Sequence, residues 1–218
     1  MSKHILIVGA SRGIGLGLAE EFKARGWDVT ATERSRSDDL HALDGVTVAT
    51  LDVTDPSTFD IDGEFDAVIV NAGITGAEHQ SSEKATSDEV AHVMMTNAFG
   101  PAHLGKTLLP NIGKGGALAF MSSLMGSIDD SSGDYELYRT SKVALNMLAK
   151  GIAEQDAGER GVTVLALHPG WVQTDMGGPN AKLSVKESVT GLADVVEGAG
   201  KGEAGFRFVD YSGKDLAF

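Results

Sequence analysis

Two side chains that could move a proton stand four residues apart in the second half of the chain. Tyr138 and Lys142 occur in the sequence YRTSK, and this spacing places both on one face of a helix. A free phenol has a pKa of about 10 and is a poor acid–base catalyst near neutral pH. A cation held beside it favours the phenolate and lowers that pKa. The pair is therefore a candidate proton donor with its own electrostatic control, although such spacing also occurs on ordinary helix surfaces.

A glycine-rich turn near the N-terminus could hold a phosphate. Gly9, Gly13 and Gly15 follow the apolar residues 5–8. Glycines between a strand and a helix allow a tight turn and let backbone N–H groups approach a phosphate at the helix N-terminus, where the dipole favours negative charge. The spacing is GxxxGxG rather than GxGxxG. A purely structural glycine turn remains an alternative.

Three charged residues give conflicting indications about which dinucleotide would bind. Glu33 ends the predicted second strand, where an acid can bond the adenosine ribose hydroxyls. Arg34 and Arg12 would instead accommodate a 2′-phosphate, which a carboxylate repels. Glu33 and Arg34 could also form a solvated turn. The carboxylate favours NAD(H), and the arginines keep NADP(H) open.

The order of the predicted elements indicates how these groups are positioned. Near-continuous apolar runs at residues 5–8, 67–70, 117–120 and 162–167 are typical of strands covered on both faces, and further strands are predicted at 28–32, 46–50 and 205–209. Helices are predicted at 13–25, 86–109, 135–157 and 186–197, and the glycine-rich segments 113–116 and 198–205 are predicted as turns. The alternation predicts an α/β fold: residues 1–218 form a single domain, a Rossmann-type doubly wound parallel β-sheet of about seven strands with helices on both faces.

The charge and amino-acid composition of the chain argue against several classes of partner and site. The 218 residues carry a net charge of −13, which argues against nucleic acid or an anionic membrane surface as partner. The chain has no cysteine, and its six histidines do not form ligand-like pairs, so no metal site is expected. We find neither a long apolar run nor the pattern of a signal peptide. These features predict a soluble cytoplasmic protein.

Further motifs complete a pattern that resembles the short-chain dehydrogenase/reductase family. They are Asn71-Ala72-Gly73 after the fourth predicted strand, Ser122-Ser123, and the sequence HPGWVQTDM at residues 168–176. Together with the glycine loop, Tyr138 and Lys142, they extend the resemblance over essentially the whole chain. Within the family, the pattern is most similar to the C-factor-like and sniffer-type carbonyl reductases. The resemblance implies an NAD(P)-dependent oxidoreductase that interconverts a ketone or aldehyde and an alcohol by hydride transfer.

The resemblance also implies a role for each catalytic candidate. Tyr138 would be the acid or base, and Lys142 would lower its pKa and bond the nicotinamide ribose. Ser123 would orient the substrate oxygen, and Asn97 would hold a water for proton relay. Tyr135 is a weaker candidate than Tyr138 because the residue four positions after it is an arginine, whose permanent charge cannot relay a proton.

The implied cofactor-binding residues lie along the whole chain. Asp52 would contact the adenine edge, and Thr174 would bond the nicotinamide carboxamide. The full set is Gly9, Ser11, Arg12, Gly13, Ile14, Gly15, Glu33, Arg34, Asp52, Val53, Asn71, Ala72, Gly73, Tyr138, Lys142, Pro169, Gly170, Val172 and Thr174.

Two departures from the family pattern bear on the substrate. The segment between Ser123 and Tyr138 is longer than in most family members, and the extra length falls in the acidic sequence DDSSGD at residues 129–134. If this loop lies at the pocket mouth, it would disfavour anionic substrates; a well-solvated surface loop is the alternative. The segment 176–180 is short and suggests a small glycine-hinged cover, for which Trp171 could form one wall or pack the loop down.

Two other functions remain open at this stage. A nucleotide-sugar epimerase or dehydratase also uses Tyr-xxx-Lys, but it needs a larger C-terminal region than the segment after Gly170. A dinucleotide-sensing or signalling protein of C-factor type would not need the set of Ser123, Tyr138 and Lys142. Relatives commonly pair the two long helices, predicted here at 86–109 and 135–157, and we therefore expect a homodimer.

Overall fold

The buried apolar strands pair into one parallel sheet in a computed structural model that describes residues 2–199 and 204–218. The strands are β1 His4–Val8, β2 Asp28–Glu33, β3 Val46–Thr50, β4 Phe65–Val70, β5 Ile112–Met121, β6 Thr163–His168 and β7 Phe206–Asp210. Their order across the sheet is β3-β2-β1-β4-β5-β6-β7, and every neighbouring pair is parallel. The direction of winding reverses between β1 and β4, where ligands bind in open α/β sheets. The predicted doubly wound fold is confirmed.

Helices cover both faces of the sheet because successive strand residues point to opposite sides. The helices are α1 Gly13–Ala24, α2 Asp38–His41, α3 Ser87–Met94, α4 Gly100–Leu108, α5 Glu136–Ile152 and α6 Val185–Ala199. Along β1, Leu6 and Val8 belong to the core shared with α4 and α5, whereas Ile5 and Ile7 belong to the core shared with α1 and α6. None of the helices in the described ranges is both long and apolar enough to cross a bilayer.

The long helical stretch predicted at 86–109 contains an irregular turn. It begins with a capping box in which Thr86 and Glu89 satisfy each other's backbone N–H groups. The π-helical segment Met95–Phe99 then joins α3 to α4. Such π turns insert an extra residue into a helix and are frequent at functional sites. The segment contains Asn97.

The glycine-rich residues 113–116 belong to β5, so their prediction as a turn is wrong. Ile112 pairs with Phe65, and the register between the two strands then shifts before Ala67. A Cβ at Gly116 would lie 2.7 Å from the main-chain oxygen of Asp66. Glycine here allows close approach of two strands at an irregular pairing rather than a chain reversal. Of the turn predicted at 198–205, residues 200–203 lie outside the described ranges.

Candidate active site

A cavity of about 760 Å³ opens where the winding of the sheet reverses. Its walls come from the segments that follow the carboxyl ends of strands β1 to β6. The predicted residues that line it are Gly9, Ser11, Arg12, Gly13, Ile14, Arg34, Asp52, Val53, Asn71, Ala72, Gly73, Tyr138, Lys142, Pro169 and Thr174. Sequence analysis missed the lining residues Asp39, Leu51, Ile74, Thr96, Met121, Ser122, Gln173, Asp175 and Met176. Most of these residues are adjacent in sequence to predicted ones, so their closeness to a motif is the feature of the sequence that could have identified them.

The glycine loop fits a phosphate-bearing ligand. Gly9 has a φ of 84°, and a Cβ on it would lie 2.9 Å from the main chain of Ala72. A Cβ on Gly15 would lie 2.1 Å from the carbonyl oxygen of Gly9, and that oxygen accepts a hydrogen bond from the side chain of Asn71 at 2.8 Å. Helix α1 begins at Gly13 without a side-chain cap, so the cavity meets its N-terminal N–H groups. Close backbone approach and free helical donors are what a dinucleotide pyrophosphate requires.

Glu33 does not face the cavity, contrary to the sequence prediction. Its carboxylate accepts hydrogen bonds from the backbone N–H of Ser37 at 2.6 Å and contacts Nε2 of His41 at 2.8 Å. The side chain is 8% exposed. Burial alone would raise the pKa of Glu33, but these hydrogen bonds outweigh it and hold the pKa below its usual value. The short helix α2, which the sequence pattern did not reveal, supplies both partners and turns the acid inward.

Two arginines, and not Glu33, line the cavity. Arg34 is exposed and lines the cavity near Asp39. Arg12 also lines it and forms an ion pair with Asp175, which connects the glycine loop to the segment after β6. This edge of the cavity therefore carries Arg34, Asp39 and the ion pair of Arg12 with Asp175, while the predicted carboxylate of Glu33 is buried.

Asp52 is fixed on the wall of the cavity by its neighbour. Its Oδ1 atom accepts hydrogen bonds from the backbone N–H of Thr54 at 2.8 Å and from the Thr54 hydroxyl at 2.7 Å. Burial would raise the pKa of Asp52, and the bonds to Thr54 lower it overall. The carboxylate is therefore an ionised acceptor in a defined orientation.

Tyr138 and Lys142 lie together on α5 at the inner end of the cavity. The Nζ atom of Lys142 lies 5.5 Å from the centroid of the Tyr138 ring and donates a hydrogen bond to the carbonyl oxygen of Met121 at 2.8 Å. Burial lowers the pKa of Lys142 to about 8. Burial also raises the pKa of Tyr138 to about 12, while a hydrogen bond with Ser123 acts in the opposite direction. Desolvation thus outweighs the hydrogen bond with Ser123, and the pKa of the phenol is raised rather than lowered in this structure.

The two adjacent serines have different surroundings. The hydroxyl of Ser123 is hydrogen-bonded to Tyr138 and accepts from the backbone N–H of Met125 at 3.1 Å. The hydroxyl of Ser122 donates to the side chain of Asn146 at 2.6 Å, and the residue is 2% exposed. Ser123, which does not itself line the cavity, is the serine beside the phenol.

Asn97 is fully buried behind the cavity wall, and its side chain is committed to protein partners. Its Oδ1 accepts from the backbone N–H of Ile74 at 2.8 Å, and its Nδ2 donates to the Ile74 carbonyl at 2.7 Å and to the Ser141 hydroxyl at 3.0 Å. The neighbouring Thr96 lines the cavity, and its buried hydroxyl has no hydrogen-bond partner among the described residues. An orphaned hydroxyl in a cavity wall fits a site built for a polar ligand.

The segment after β6 closes one side of the cavity. Pro169 and Thr174 line it, while Gly170 and Val172 lie behind them. The indole N–H of Trp171 donates to the carbonyl of Gly177 at 2.8 Å, although half of the side chain is exposed. The backbone N–H of Gln173 donates to the carbonyl of Leu183, and the N–H of Leu183 donates to the carbonyl of Trp171, so the two ends of the segment are held together. Trp171 therefore fixes the fold of this cover.

No group of three His, Cys, Asp or Glu side chains within residues 2–199 and 204–218 is arranged to hold a metal ion. The cavity brings together backbone hydrogen-bond donors, cationic groups, hydroxyls and a phenol, along with the carboxylates of Asp39, Asp52 and Asp175. Such a set can hold an anionic cofactor and transfer a proton.

Comparisons with known proteins agree with this geometry. The short chain dehydrogenase family model matches residues 3–183. The C-signal protein of Myxococcus xanthus is 39% identical over 157 residues, which cover 71% of this chain and 93% of that protein. A carbonyl reductase from Pseudomonas aeruginosa PAO1 in complex with NADP superposes with a TM-score of 0.92 at 38% identity, over 100% of both chains. The carbonyl reductase Sniffer of Drosophila melanogaster superposes with a TM-score of 0.86 at 27% identity, also over 100% of both chains.

Proposed function

The chain belongs to the short-chain dehydrogenase/reductase family and is an NAD(P)-dependent oxidoreductase, and we propose that it reduces ketones or aldehydes to alcohols with NADP(H) as its preferred cofactor. One observation carries the proposal: a phenol, a hydroxyl and an ammonium group, from Tyr138, Ser123 and Lys142, converge beside a dinucleotide-sized cavity. No metal is needed for this chemistry.

A bound nicotinamide dinucleotide supplies or accepts the hydride. The N-terminus of α1 and the glycine loop would hold its pyrophosphate, and Asp52 with Asn71-Ala72-Gly73 would hold its adenosine half. Lys142 and Thr174 would bond its nicotinamide half. The orphaned hydroxyl of Thr96 lies in the same cavity and gives the cofactor a further polar partner.

The surroundings of Glu33 and Arg34 support NADP(H). A carboxylate at the ribose would repel a 2′-phosphate, but Glu33 is bonded to Ser37 and His41 instead. The guanidinium groups of Arg34 and Arg12 line the cavity, and arginine binds phosphate with charge-assisted hydrogen bonds. The NADP complex of the similar Pseudomonas carbonyl reductase agrees with this choice.

Tyr138 can serve as the proton donor for reduction. Burial keeps the phenol protonated near neutral pH, so it can donate its proton to a carbonyl oxygen. Ser123, hydrogen-bonded to the phenol, would bond the same oxygen and orient it. The ammonium of Lys142 would stabilise the phenolate that remains after transfer.

Asn97 would take part in reprotonating the active site by binding a relay water with its main chain. Its side chain is committed to Ile74 and Ser141, so a relay water needs another acceptor. We propose that the main-chain carbonyl oxygen of Asn97, within the irregular π-helical turn, is the acceptor that would hold the water connecting to Lys142.

A homodimer is also proposed, formed through the long helices. Val90, Met95 and Phe99 on the stretch from α3 to α4 and Met147 on α5 are between 41% and 70% exposed. Large apolar side chains on adjacent helices favour association, because pairing removes their surface from water. A second copy of this chain presents the same surface, as a twofold interface requires.

The experiment that tests the function compares the wild type with Tyr138→Phe, using NADPH and para-nitrobenzaldehyde as probe. We expect kcat to fall by about 10³-fold or more, because the proton donor is lost, while the dissociation constant for NADPH changes by less than about threefold. Full turnover by Tyr138→Phe would contradict the proposal. A wild-type protein that binds NADPH but reduces no aldehyde or ketone in a broad panel would favour the sensing function.

A further inference from the structure

The helix that carries Tyr138 begins without a cap of its own. Tyr135, directly before α5, has a left-handed backbone with φ 52° and ψ 44°, and its side chain makes no capping hydrogen bond. The first N–H groups of a helix have no partner within that helix. Those of α5 therefore need acceptors from elsewhere in the fold.

Gln80 supplies two of these acceptors from a distant loop. Its main-chain oxygen accepts from the N–H of Glu136 at 3.1 Å, and its side-chain Oε1 accepts from the N–H of Tyr138 at 3.0 Å. The carboxylate of Glu136 in turn accepts from the backbone N–H of Ser82, so the loop and the start of α5 each supply an acceptor to the other. The Gln80 side chain thus holds the amide of Tyr138 directly.

The other half of the Gln80 side chain fixes the loop it stands on. Its Nε2 atom donates to the carbonyl oxygens of Thr75 at 2.8 Å and Ala77 at 2.7 Å. This loop follows Gly73 and Ile74, which line the cavity, and Asn97 holds Ile74 at both its N–H and its carbonyl. One glutamine therefore connects the start of α5 to the cofactor side of the cavity.

Backbone strain marks the same junction. Gln80 has a φ of 51° and Tyr135 a φ of 52°, and within residues 2–199 and 204–218 they are the two non-glycine residues with a positive φ. A left-handed backbone is unfavourable for such residues, persists where surrounding contacts impose it, and is concentrated at functional sites. Here the two residues stand on either side of the hydrogen bond between Gln80 and Glu136.

We infer that Gln80 is a positioning residue: it caps α5 from outside and so sets where the Tyr138 hydroxyl stands relative to the wall formed by Gly73 and Ile74. The inference rests on the proposed role of Tyr138 as proton donor. A displacement of about 1 Å at a reacting group can slow a reaction by about 10²-fold. The glycine loop and Asp52 do not depend on this contact. Loss of the Gln80 side chain should therefore reduce turnover far more than it reduces cofactor affinity.

The test uses Gln80→Gly in the full chain, with NADPH and para-nitrobenzaldehyde as probe. Glycine relieves the left-handed backbone and keeps the main-chain acceptor for Glu136, so the variant removes only the side chain's contacts. We expect kcat to fall at least about tenfold, while KM and the dissociation constant for NADPH change by less than about threefold.

Gln155→Gly is the matched control, because Gln155 is exposed beyond the end of α5 and its change should leave kcat unaltered. The inference is overturned by a Gln80→Gly variant whose kcat stays within about twofold of the wild type. It is also overturned if kcat and NADPH affinity fall together. A normal Gln80→Gly beside an inactive Tyr138→Phe overturns this inference alone, whereas an active Tyr138→Phe overturns the proposed function and this inference with it.

Discussion

The Nε2 atom of His41 lies 2.8 Å from Oε1 of Glu33 and holds that carboxylate against the short helix α2. The backbone N–H of Ser37 binds the other carboxylate oxygen at 2.6 Å. The hydroxyl of Ser37 also donates to the carbonyl of Ser11 in the glycine loop, at 2.7 Å. The last residue of β2, a position that could select the cofactor, is thus an acid that the protein keeps turned inward.

Removal of His41 should shift the cofactor preference toward NADH. In His41→Ala the carboxylate of Glu33 loses one of its two partners and gains the freedom to approach the ribose. There it would repel a 2′-phosphate and accept from a 2′-hydroxyl, so the ratio of NADPH to NADH affinity should fall by about tenfold. Equilibrium titrations with both cofactors measure the ratio. The double variant Glu33→Gln/His41→Ala should restore it, and a ratio unchanged in His41→Ala would rule out this role for His41.

Replacement of Arg34 should weaken NADPH binding selectively. Arg34 is exposed at the cavity, and a charge-assisted bond to phosphate contributes roughly 1.5–3 kcal/mol, so Arg34→Ala should raise the dissociation constant for NADPH by about 10- to 100-fold. The dissociation constant for NADH should change by less than about twofold. Arg36→Ala is the control, because Arg36 stands two residues away and pairs with Asp38 rather than lining the cavity. Equal loss of both cofactors in Arg34→Ala would contradict the assignment.

Lys142→Met should abolish turnover and yet stabilise the protein below pH 8. Burial lowers the pKa of Lys142 from 10.5 to about 8, so protonating the buried amine costs free energy of the order of 3 kcal/mol, partly offset by its bond to Met121. Between pH 8 and 10.5 the unfolded chain binds more protons than the folded one, so stability of the wild type rises with pH in that window. Denaturant unfolding at several pH values should show Lys142→Met about 1–2 kcal/mol more stable at pH 7. The difference should shrink toward pH 10.5; a difference independent of pH would refute the assigned cause.

None of residues 129–134 lines the cavity, so the acidic loop would act on an anionic substrate by long-range repulsion, through Asp129 and Asp130. Asp134 forms a salt bridge with Arg139 at 2.8 Å, whereas Asp129 and Asp130 are exposed. In Asp129→Asn/Asp130→Asn, turnover of a keto acid relative to its neutral ester should rise by about two- to tenfold, because repulsion of the anion is reduced. Asp60→Asn/Asp62→Asn carries the same charge change before β4, at the opposite edge of the sheet. An equal response of both double variants would indicate a general charge effect and no role for the loop.

The proposed dimer should depend on the exposed apolar side chains of the helices. Phe99→Lys places a charge within the surface that would be buried, and such a desolvated charge costs several kcal/mol. Sedimentation equilibrium should show a species of twice 22.7 kDa for the wild type and a monomer for the variant. Ile128→Lys replaces an apolar residue that is 70% exposed outside these helices, and it should leave the assembly unchanged. A wild-type protein that sediments as a monomer would contradict the proposed homodimer.

The sequence was sufficient for the sheet because buried parallel strands leave a strong pattern of continuous apolar runs. Residues of the glycine loop and the segment Asn71-Ala72-Gly73 meet at the cavity, since parallel strands bring their carboxyl ends to one edge. The orientation of Glu33 could not be predicted in this way. It depends on α2, a helix of four residues that is too short to give a periodic signal.

The role of a residue that acts through a distant loop could not be predicted from the sequence either. Gln80 lies far from Tyr138 in sequence, and its left-handed backbone follows from contacts that exist only in the folded chain. Gly115 and Gly116 were interpreted as a turn because local chemistry cannot distinguish a turn from an irregular strand pairing. The sequence reveals the cation near Tyr138 but not the depth of burial that raises the pKa of the phenol.

The π segment Met95–Phe99 makes the site sensitive to the number of residues in the chain, in addition to their identity. A residue advances an α-helix by about 100°. Deletion of one codon within this segment would let α3 and α4 merge into a regular helix, and it would rotate Asn97 away from Ile74 and Ser141. Substitutions on the exposed positions of the segment leave that rotation untouched. We therefore expect this segment to tolerate substitutions more readily than insertions or deletions.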